Sequence, residues 1–434
     1  MTEVLVFSQY STSRLHYVLH WVLTNRLGLD YRITNNVMEF GASQEAKINY
    51  SNQTLMGCIN IDSSSILYET TINENFGEIG EWNGKHIIFK NGGNEIPFDL
   101  FGAVFYCLSR MEEYGNSKLD KHGRFTHQSS ILHKLKVLHT PIVDLWLEGF
   151  KEVLLSFYPA LEVKSAKFKF LNTFDIDQAF CYAEKGFTRI AGGFMKDLMK
   201  FKFRQTLERV LVILGVRADP FDTFEYIIEK HHQYNLKTVV FLLLADFGAY
   251  DKNIKITNLK FIQRMKRLLQ EVSLGIHPSY FSFQDLELMR KEVDRLAALQ
   301  GQAVLQSRQH YLKYELPHTF RNLIELGIRQ EYSMGYAEVV GFRAGTAHSF
   351  HWFDIERNEV TLLEIHPSCV MDVTLKNYLQ LTPEQAKATL LNLIQEVKQV
   401  NGTFIPIWHN ESISGFGPWK GWRAVYEAML DFTK

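Results

Sequence analysis

Two aspartates two positions apart are the first residues of this sequence whose spacing could do chemistry. Asp175 and Asp177 end the stretch KFKFLNTFDID, residues 167–177, in which phenylalanines alternate with polar residues. A period of two is typical of a β-strand, so both carboxylates should leave it on the same side. Such carboxylates stay ionised readily only where a cation lies between them, or where one holds a proton. The alternative is an Asp-rich turn that closes the strand.

Further polar and ionisable side chains lie at the ends of three later predicted strands, over residues 273–277, 303–306 and 403–408. Helical patterns alternate with these strands, which indicates parallel strands whose carboxyl ends meet at one edge. We therefore expect the side chains at these ends to gather into one site. They are His277 in the first case, Arg308, Gln309, His310 and Tyr311 in the second, and His409, Asn410 and Glu411 in the third.

Composition limits the class of protein. The 434 residues are 46% hydrophobic, which predicts two or three domains with sizeable cores. A net charge of −1 argues against nucleic acid as a partner. The four cysteines form no CxxC pattern, so we expect reduced thiols. With neither a signal-peptide pattern nor an apolar run that could span a bilayer, the sequence predicts a cytoplasmic protein without a transmembrane segment.

The order of the predicted elements suggests two domains. Residues 1–160 read as a small α/β domain of unknown role, whose histidine-rich stretch over residues 120–140 is expected to be a surface loop. Residues 165–434 follow, with a basic amphipathic stretch at about 186–217. That stretch could lie on a membrane surface or an anionic polymer, but we expect a solvated helical insertion.

Four short motifs follow one another in the second domain: TFDID at Thr173–Asp177, GIHP at Gly275–Pro278, SRQHY at Ser307–Tyr311 and IWHN at Ile407–Asn410. In their order and spacing they resemble the TFDD, second, RxPY and closing LxH motifs of the polysaccharide deacetylases, carbohydrate esterases with a distorted (β/α) barrel. The likeness covers roughly the last three-fifths of the chain. The phrases HPSY, RQHYLKY, GFRAGT and IWHN also resemble a subgroup with an extra N-terminal domain.

The resemblance implies a fold and a reaction. The fold is α/β, a distorted (β/α) barrel preceded by a smaller α/β domain. The reaction is metal-dependent hydrolysis that removes an acetyl group from an N-acetylated sugar or polysaccharide. Asp175 is then expected to be the base and His409 the acid, with Arg308 keeping Asp175 ionised. Asp177 and His277 are expected to bind a divalent metal, and their mixed oxygen and nitrogen donors favour zinc.

The sequence departs from the family pattern at two places. Ile176 separates the two aspartates, which leaves the assignment of their roles open. Phe281 stands where the family places its second metal histidine. A catalytic zinc ordinarily keeps three protein ligands, so another strand end must supply the third. His310 is the expected ligand, although Asp175 is an alternative.

Five residues are candidates for contact with a carbohydrate substrate. Tyr311 and Trp408, together with Trp352, offer aromatic faces, while Arg343 and Asn410 offer hydrogen bonds. The alternative is that the aromatic residues belong to a core, and that Arg308 and Arg343 form buried ion pairs.

Two other functions remain open from the sequence. The first is a glycosyltransferase, because Asp-Ile-Asp is also the DxD arrangement with which these enzymes bind a metal and a nucleotide diphosphate. This interpretation leaves His277 and His409 unexplained. The second is a non-catalytic glycan-binding or interaction protein whose metal site was lost with the second motif histidine.

Overall fold

The computed structural model describes residues 3–93, 95–115 and 118–434, and the element bounds below refer to these ranges. The strands are β1 (Glu3–Phe7), β2 (Asp30–Thr34), β3 (Ala46–Tyr50), β4 (Ile59–Ile61), β5 (Gly80–Trp82), β6 (Lys85–Ile87), β7 (Lys169–Ile176), β8 (Lys237–Leu242), β9 (Ser273–Ile276), β10 (Gln306–Ser307), β11 (Gln330–Glu331), β12 (Phe350–Asp354), β13 (Glu359–Ile365), β14 (Val370–Met371), β15 (Thr403–Phe404) and β16 (Pro406–His409).

The α-helices are α1 (Ser13–Leu19), α2 (Val37–Ala42), α3 (Leu100–Ser109), α4 (Ile131–Lys134), α5 (Ile142–Phe157), α6 (Phe187–Met199), α7 (Phe203–Ile213), α8 (Phe224–Gln233), α9 (Leu259–Leu269), α10 (Leu286–Gln300), α11 (His318–Glu325), α12 (Pro383–Gln399) and α13 (Trp422–Phe432). Short 3₁₀ or π-helical segments are His20–Arg26, Met111–Glu113, His127–Ser129, His310–Leu312, Thr374–Tyr378, Ser412–Ser414 and Gly417–Trp419. None of these described helices combines the length and the apolar character that crossing a membrane requires.

The first sheet has four parallel strands in the order β2-β1-β3-β4. Its central strand β1 is buried along four of five residues, since Val4, Leu5, Val6 and Phe7 face helices or core on both sides. Asp99 begins the apolar helix α3 by accepting a hydrogen bond from the Gly102 amide at 2.8 Å.

The second sheet is larger and carries the predicted strand ends. Its order is β12-β13-β11-β10-β9-β8-β7-β16-β14, with β15 also paired to β7. Neighbouring strands along this order run parallel to each other, except β12 and β13, which are antiparallel. The predicted distorted barrel is not confirmed, because over the described residues the sheet is open and the β12–β13 hairpin lies at one edge. The coarser prediction of a mixed α/β fold is confirmed.

The register of β7 aligns the chemically interesting strand ends. Asp175 lies opposite Phe241 of β8 on one side and opposite His409 of β16 on the other. On β10, Ser307 lies opposite Ile276 of β9. The carboxyl ends of these parallel strands therefore meet at one edge, as the sequence predicts.

The helical segment over residues 13–26 contacts the β12 region of the second sheet through two side chains. The Tyr17 hydroxyl donates to the His351 carbonyl at 2.7 Å, and the Trp21 indole donates to the Ser349 carbonyl at 3.0 Å. The division into domains near residues 160–165 stays a prediction. The segment predicted as a helical insertion forms α6 and α7.

A buried carboxyl on α10 fixes the loop after β9. The Ser279 amide donates to Glu292 Oε2 at 2.8 Å, while Glu292 Oε1 is buried without a hydrogen-bond partner. Burial raises the pKa of Glu292 to about 7, and this exceeds the opposing effect of the hydrogen bonds at Ser279. The folded state therefore favours the protonated acid.

We predict that Glu292→Gln changes the pH dependence of stability. In the unfolded chain this carboxyl has its ordinary pKa of 4.5, whereas the folded protein binds its proton more tightly. The protonated carboxyl therefore stabilises the fold fully below pH 4.5, and this stabilisation is lost as the pH rises towards 7. Relative to wild type, the variant should gain up to about 3 kcal/mol between pH 4.5 and pH 8.

Urea unfolding at both pH values measures this difference. Glu287→Gln is the matched control, because that side chain is exposed near the start of the same helix. A difference between Glu292→Gln and wild type that does not change with pH would contradict the prediction.

Candidate metal centre and active site

The strand ends surround a cavity of about 270 Å³. It contains the side chains that the sequence predicts for the reaction, apart from Arg308, which lies behind Asp175. The predicted site residues that line it are Asp175, Asp177, His277, His310, Tyr311 and His409.

Three side chains form a compact group of possible metal ligands. Asp177 Oδ1 lies 3.3 Å from His277 Nε2, and Asp177 Oδ2 lies 3.2 Å from His310 Nε2. One donor atom of each residue lies within 4.8 Å of the other two. Both histidines are buried, and Asp177 is partly exposed towards the cavity. His310 thus occupies a place in this group, whereas Phe281 is exposed and contacts Tyr250 and Tyr280.

Each imidazole is oriented by a hydrogen bond at its other nitrogen. His277 Nδ1 donates to the Arg308 carbonyl, and His310 Nδ1 contacts Asp251 Oδ1 at 2.8 Å. When these Nδ1 atoms carry the proton, each neutral ring directs the lone pair of Nε2 towards Asp177. This arrangement is the one by which proteins orient histidine ligands to metals.

The chemistry of the group fits a cation. Asp177 Oδ1 is buried and accepts no hydrogen bond, although the lone pair of His277 Nε2 faces it at 3.3 Å. Two acceptors in such proximity are favourable only if a cation or a proton lies between them. One carboxylate and two imidazoles are also the donor set of many catalytic zinc sites, which keep a further position open.

The charges within the group influence one another strongly. Burial by itself would raise the pKa of Asp177, but the adjacent His310, together with the nearby His277 and His409, holds it well below its ordinary value. Burial would lower the pKa of His310, whereas Asp177 and Asp251 raise it to about 9. A metal at this position must therefore displace a proton from His310 at neutral pH, so its affinity should fall as the pH falls.

Asp175 is held by a buried arginine. Arg308 Nη1 donates to Asp175 Oδ1 at 2.8 Å, and Arg308 Nη2 donates to Thr173 Oγ1 at 2.9 Å. The guanidinium also lies 4.4 Å above the Phe241 ring. The second carboxylate oxygen of Asp175 faces the cavity, 3.8 Å from His277 Nε2. Both aspartates of the DID stretch therefore approach the same histidine from one side of the strand.

His409 lies on the opposite side of Asp177 and has its own carboxylate partner. His409 Nε2 lies 3.7 Å from Asp177 Oδ2, and His409 Nδ1 contacts Asp372 Oδ1 at 2.8 Å. Although burial opposes it, Asp372 raises the pKa of His409 well above its ordinary value, with smaller effects from Asp177 and Asp175. The imidazole is therefore a proton donor in neutral solution.

Several residues of the site received no role from sequence reasoning. Asp372 directly follows β14 and contacts His409, so the rule applied to the other strand ends could have found it. Neither Asp251 nor Arg124 directly follows a predicted strand. Asp251 lies in a loop after β8, and Arg124 belongs to the first 160 residues. Glu411 lines the cavity, and burial raises its pKa to about 7 despite the opposing effect of His409.

Arg124 also positions Tyr311. Its Nη1 donates to the Tyr311 carbonyl at 2.7 Å, and Asp120 Oδ2 accepts from Arg124 Nε at 2.8 Å. Tyr311 has a φ of 63°, a conformation that residues other than glycine rarely adopt and that is often found at functional sites. The histidine-rich stretch thus reaches the cavity wall, where His122 also contacts the Tyr280 hydroxyl at 3.0 Å.

The other residues predicted to contact substrate lie elsewhere. Arg343 is buried and its Nη2 forms an ion pair with Glu113, which is the alternative role open from the sequence. The Asn410 amide donates to the carbonyls of Gln178 and Phe221, and its side chain is buried. Trp408 and Trp352 are core residues, packed against Tyr426 and Phe320 respectively.

Comparisons with known proteins extend to both parts of the chain. Residues 4–159 match a family of unknown function, DUF7033, which covers less than half of the sequence. No curated protein matches. Among solved structures, the chain is similar to a candidate polysaccharide deacetylase from Mycobacterium smegmatis, with 13% identity and a TM-score of 0.39 over 62% of this chain and 83% of that chain.

A second similar structure is a mutant of a CE4-family pseudoenzyme with restored enzymatic activity. It has 9% identity and a TM-score of 0.31, over 62% of this chain and 64% of that chain. Both TM-scores lie below 0.5, which is too low to establish a shared fold. The interpretation of the site therefore rests on its own geometry.

We predict that His310→Ala lowers the zinc content of the purified protein. Removing this imidazole takes one of three donors from the group, so the occupied fraction should fall at least tenfold after dialysis against limiting zinc at pH 8. Elemental analysis measures the ratio of zinc to protein. His231→Ala, on the outer helix α8, is the control and should retain the wild-type ratio. Equal zinc in wild type and His310→Ala would exclude His310 as a necessary ligand.

Proposed function

We propose that this chain is a metal-dependent hydrolase that removes an acetyl group from an N-acetylated sugar or polysaccharide. One observation carries the proposal: two oriented imidazoles converge on the carboxylate of Asp177, whose Oδ1 is buried without a hydrogen bond, and Asp175 and His409 lie within 4 Å of this group. Metal-dependent amide hydrolysis requires residues that bind the metal, a carboxylate that accepts a proton and a histidine that donates one.

Asp177, His277 and His310 are the residues that would hold a divalent metal. Their single oxygen and two nitrogens favour zinc or another first-row divalent ion. When bound, such an ion would polarise the acetamide carbonyl and lower the pKa of the attacking water. Asp251 and the Arg308 carbonyl fix the two imidazoles and therefore act as positioning groups.

Asp175 serves as the general base in this proposal. Its free oxygen faces the cavity beside His277, where it can accept the proton of the attacking water. The buried Arg308 donates a hydrogen bond to the other oxygen and holds the carboxylate in place. Arg308 thus acts on the reaction through Asp175, as a positioning residue.

His409 serves as the general acid. Asp372 keeps its imidazole protonated, and the Nε2 that carries this proton faces the cavity. Collapse of the tetrahedral species needs a proton on the departing nitrogen, and His409 Nε2 lies beside Oδ2 of Asp177, whereas His277 lies beside Oδ1. Base and acid therefore come from the ends of two neighbouring strands, β7 and β16.

The cavity wall suits a carbohydrate. Tyr311 and Tyr250 are in edge-to-face contact at 5.8 Å and border the cavity together with Tyr378. Such rings pack against the apolar faces of sugars, while Arg124 and Lys252 supply hydrogen-bond donors at the same wall.

Kinetic measurements on two variants test the proposal. Asp175→Asn and His409→Ala should each reduce acetate release from N-acetylglucosamine oligomers by roughly 10²–10⁴-fold, because each removes one proton-transfer group. The zinc content of both variants should stay near that of wild type, since neither residue belongs to the three proposed ligands.

The control corrects for lost stability. Asp175 is buried against Arg308, so its substitution also weakens the fold. Asp354→Asn disturbs another buried aspartate, paired with Arg321 at 2.7 Å outside the cavity, and should keep wild-type turnover below its melting temperature. Near-normal turnover of either site variant would contradict its assigned role. A zinc-loaded wild type that releases no acetate would favour the non-catalytic alternative.

A further inference from the structure

The helices α6 and α7 form a hairpin, residues 187–216, that exposes an unusual number of apolar side chains. Seven of the ten are at least 60% exposed, and Phe187 and Phe201 reach 84% and 79%. Burying such surface is normally favourable, so its exposure indicates a binding function. The exposed set is Phe187, Met195, Leu198, Met199, Phe201, Phe203, Leu207, Ile213, Leu214 and Val216.

Basic residues alternate with apolar ones at the tip of the hairpin. Every residue from 198 to 204 is exposed, in the sequence LMKFKFR. Lys200, Lys202 and Arg204 therefore lie beside Phe201 and Phe203, and this stretch contains no acidic residue. A surface that is apolar and cationic at once is typical of segments that lie in the interface of an anionic bilayer.

The acidic residues of the hairpin do not neutralise this tip. Asp197 pairs with Arg209 at 2.7 Å, and Glu208 pairs with Arg217. Within the described ranges, Lys200, Lys202 and Arg204 form no ion pair. Two copies of the chain that met through this tip would bring like charges together, which disfavours self-association. Anionic lipid headgroups provide the complementary charge.

The hairpin is attached directly beside the cavity. Arg189 of α6 donates to the carbonyls of Lys252 and Asn253, and its guanidinium lies 4.1 Å above the Phe247 ring. Lys252 and Gln178 line the cavity, and they also line a groove that continues to Lys196 and Lys202. The face that carries the hairpin is therefore close to the mouth of the proposed active site.

We propose that the hairpin docks this protein onto the surface of an anionic lipid bilayer. The phenylalanines of the tip insert among the headgroups, the lysines contact the lipid phosphates, and the groove faces the same surface. This inference does not depend on the proposed hydrolysis, because docking is a property of the hairpin alone.

Sedimentation of the full-length protein with lipid vesicles tests the inference. Vesicles of phosphatidylcholine with 30% phosphatidylglycerol should bind the protein at least tenfold more tightly than vesicles of phosphatidylcholine alone. Phe201→Ser/Phe203→Ser should lower binding to the anionic vesicles at least tenfold. Lys200→Glu/Lys202→Glu should also lower it and remove the preference for anionic lipid.

The matched control is Met38→Ser/Met56→Ser, which removes two exposed apolar side chains from the first part of the chain and should bind like wild type. Turnover of a soluble substrate should be unchanged in all three double variants. Wild type that does not bind the anionic vesicles would overturn the inference. So would a dimer in solution that Phe201→Ser/Phe203→Ser converts to monomer without any vesicle binding, since the tip would then join two copies.

Discussion

The site depends on one electrostatic constraint: the carboxylate of Asp177 lies between two imidazoles, with His277 Nε2 beside one oxygen and His310 Nε2 beside the other. Asp177 Oδ1 has no hydrogen bond, and His277 and His310 direct Nε2 towards Asp177. This arrangement is stable only with a cation or protons at its centre. In their absence the raised pKa of His310 supplies a proton, and a divalent ion would replace it. The hydrogen bonds at Asp251 and at the Arg308 carbonyl hold the rings in this orientation.

The sequence predicted the parts of the site that follow from local periodicity. The alternation in residues 167–177 predicted a strand, and β7 places Asp175 and Asp177 close to the same histidine. Polar residues after apolar stretches predicted the convergence of His277, His310 and His409, because parallel strands share an edge. These inferences need only the period of a strand and the direction of its neighbours.

What the sequence did not predict depends on contacts between distant segments. Arg124 reaches the cavity from the first 160 residues, and Arg343 is buried against Glu113, another residue of that part. The side chain of Trp408 faces the core because β16 is covered on that side, which its own pattern does not reveal. A sheet closes into a barrel only when its two edge strands pair with each other. No local sequence pattern reveals that the antiparallel β12–β13 hairpin lies at one of these edges.

An anomalous difference map at the zinc absorption edge, from a crystal soaked in zinc, tests the central claim most directly. We expect a peak about 2.0–2.2 Å from a carboxylate oxygen of Asp177 and from Nε2 of both His277 and His310. A map with no peak at this position, or with zinc held by other residues while these three keep their present contacts, would contradict the proposed metal centre.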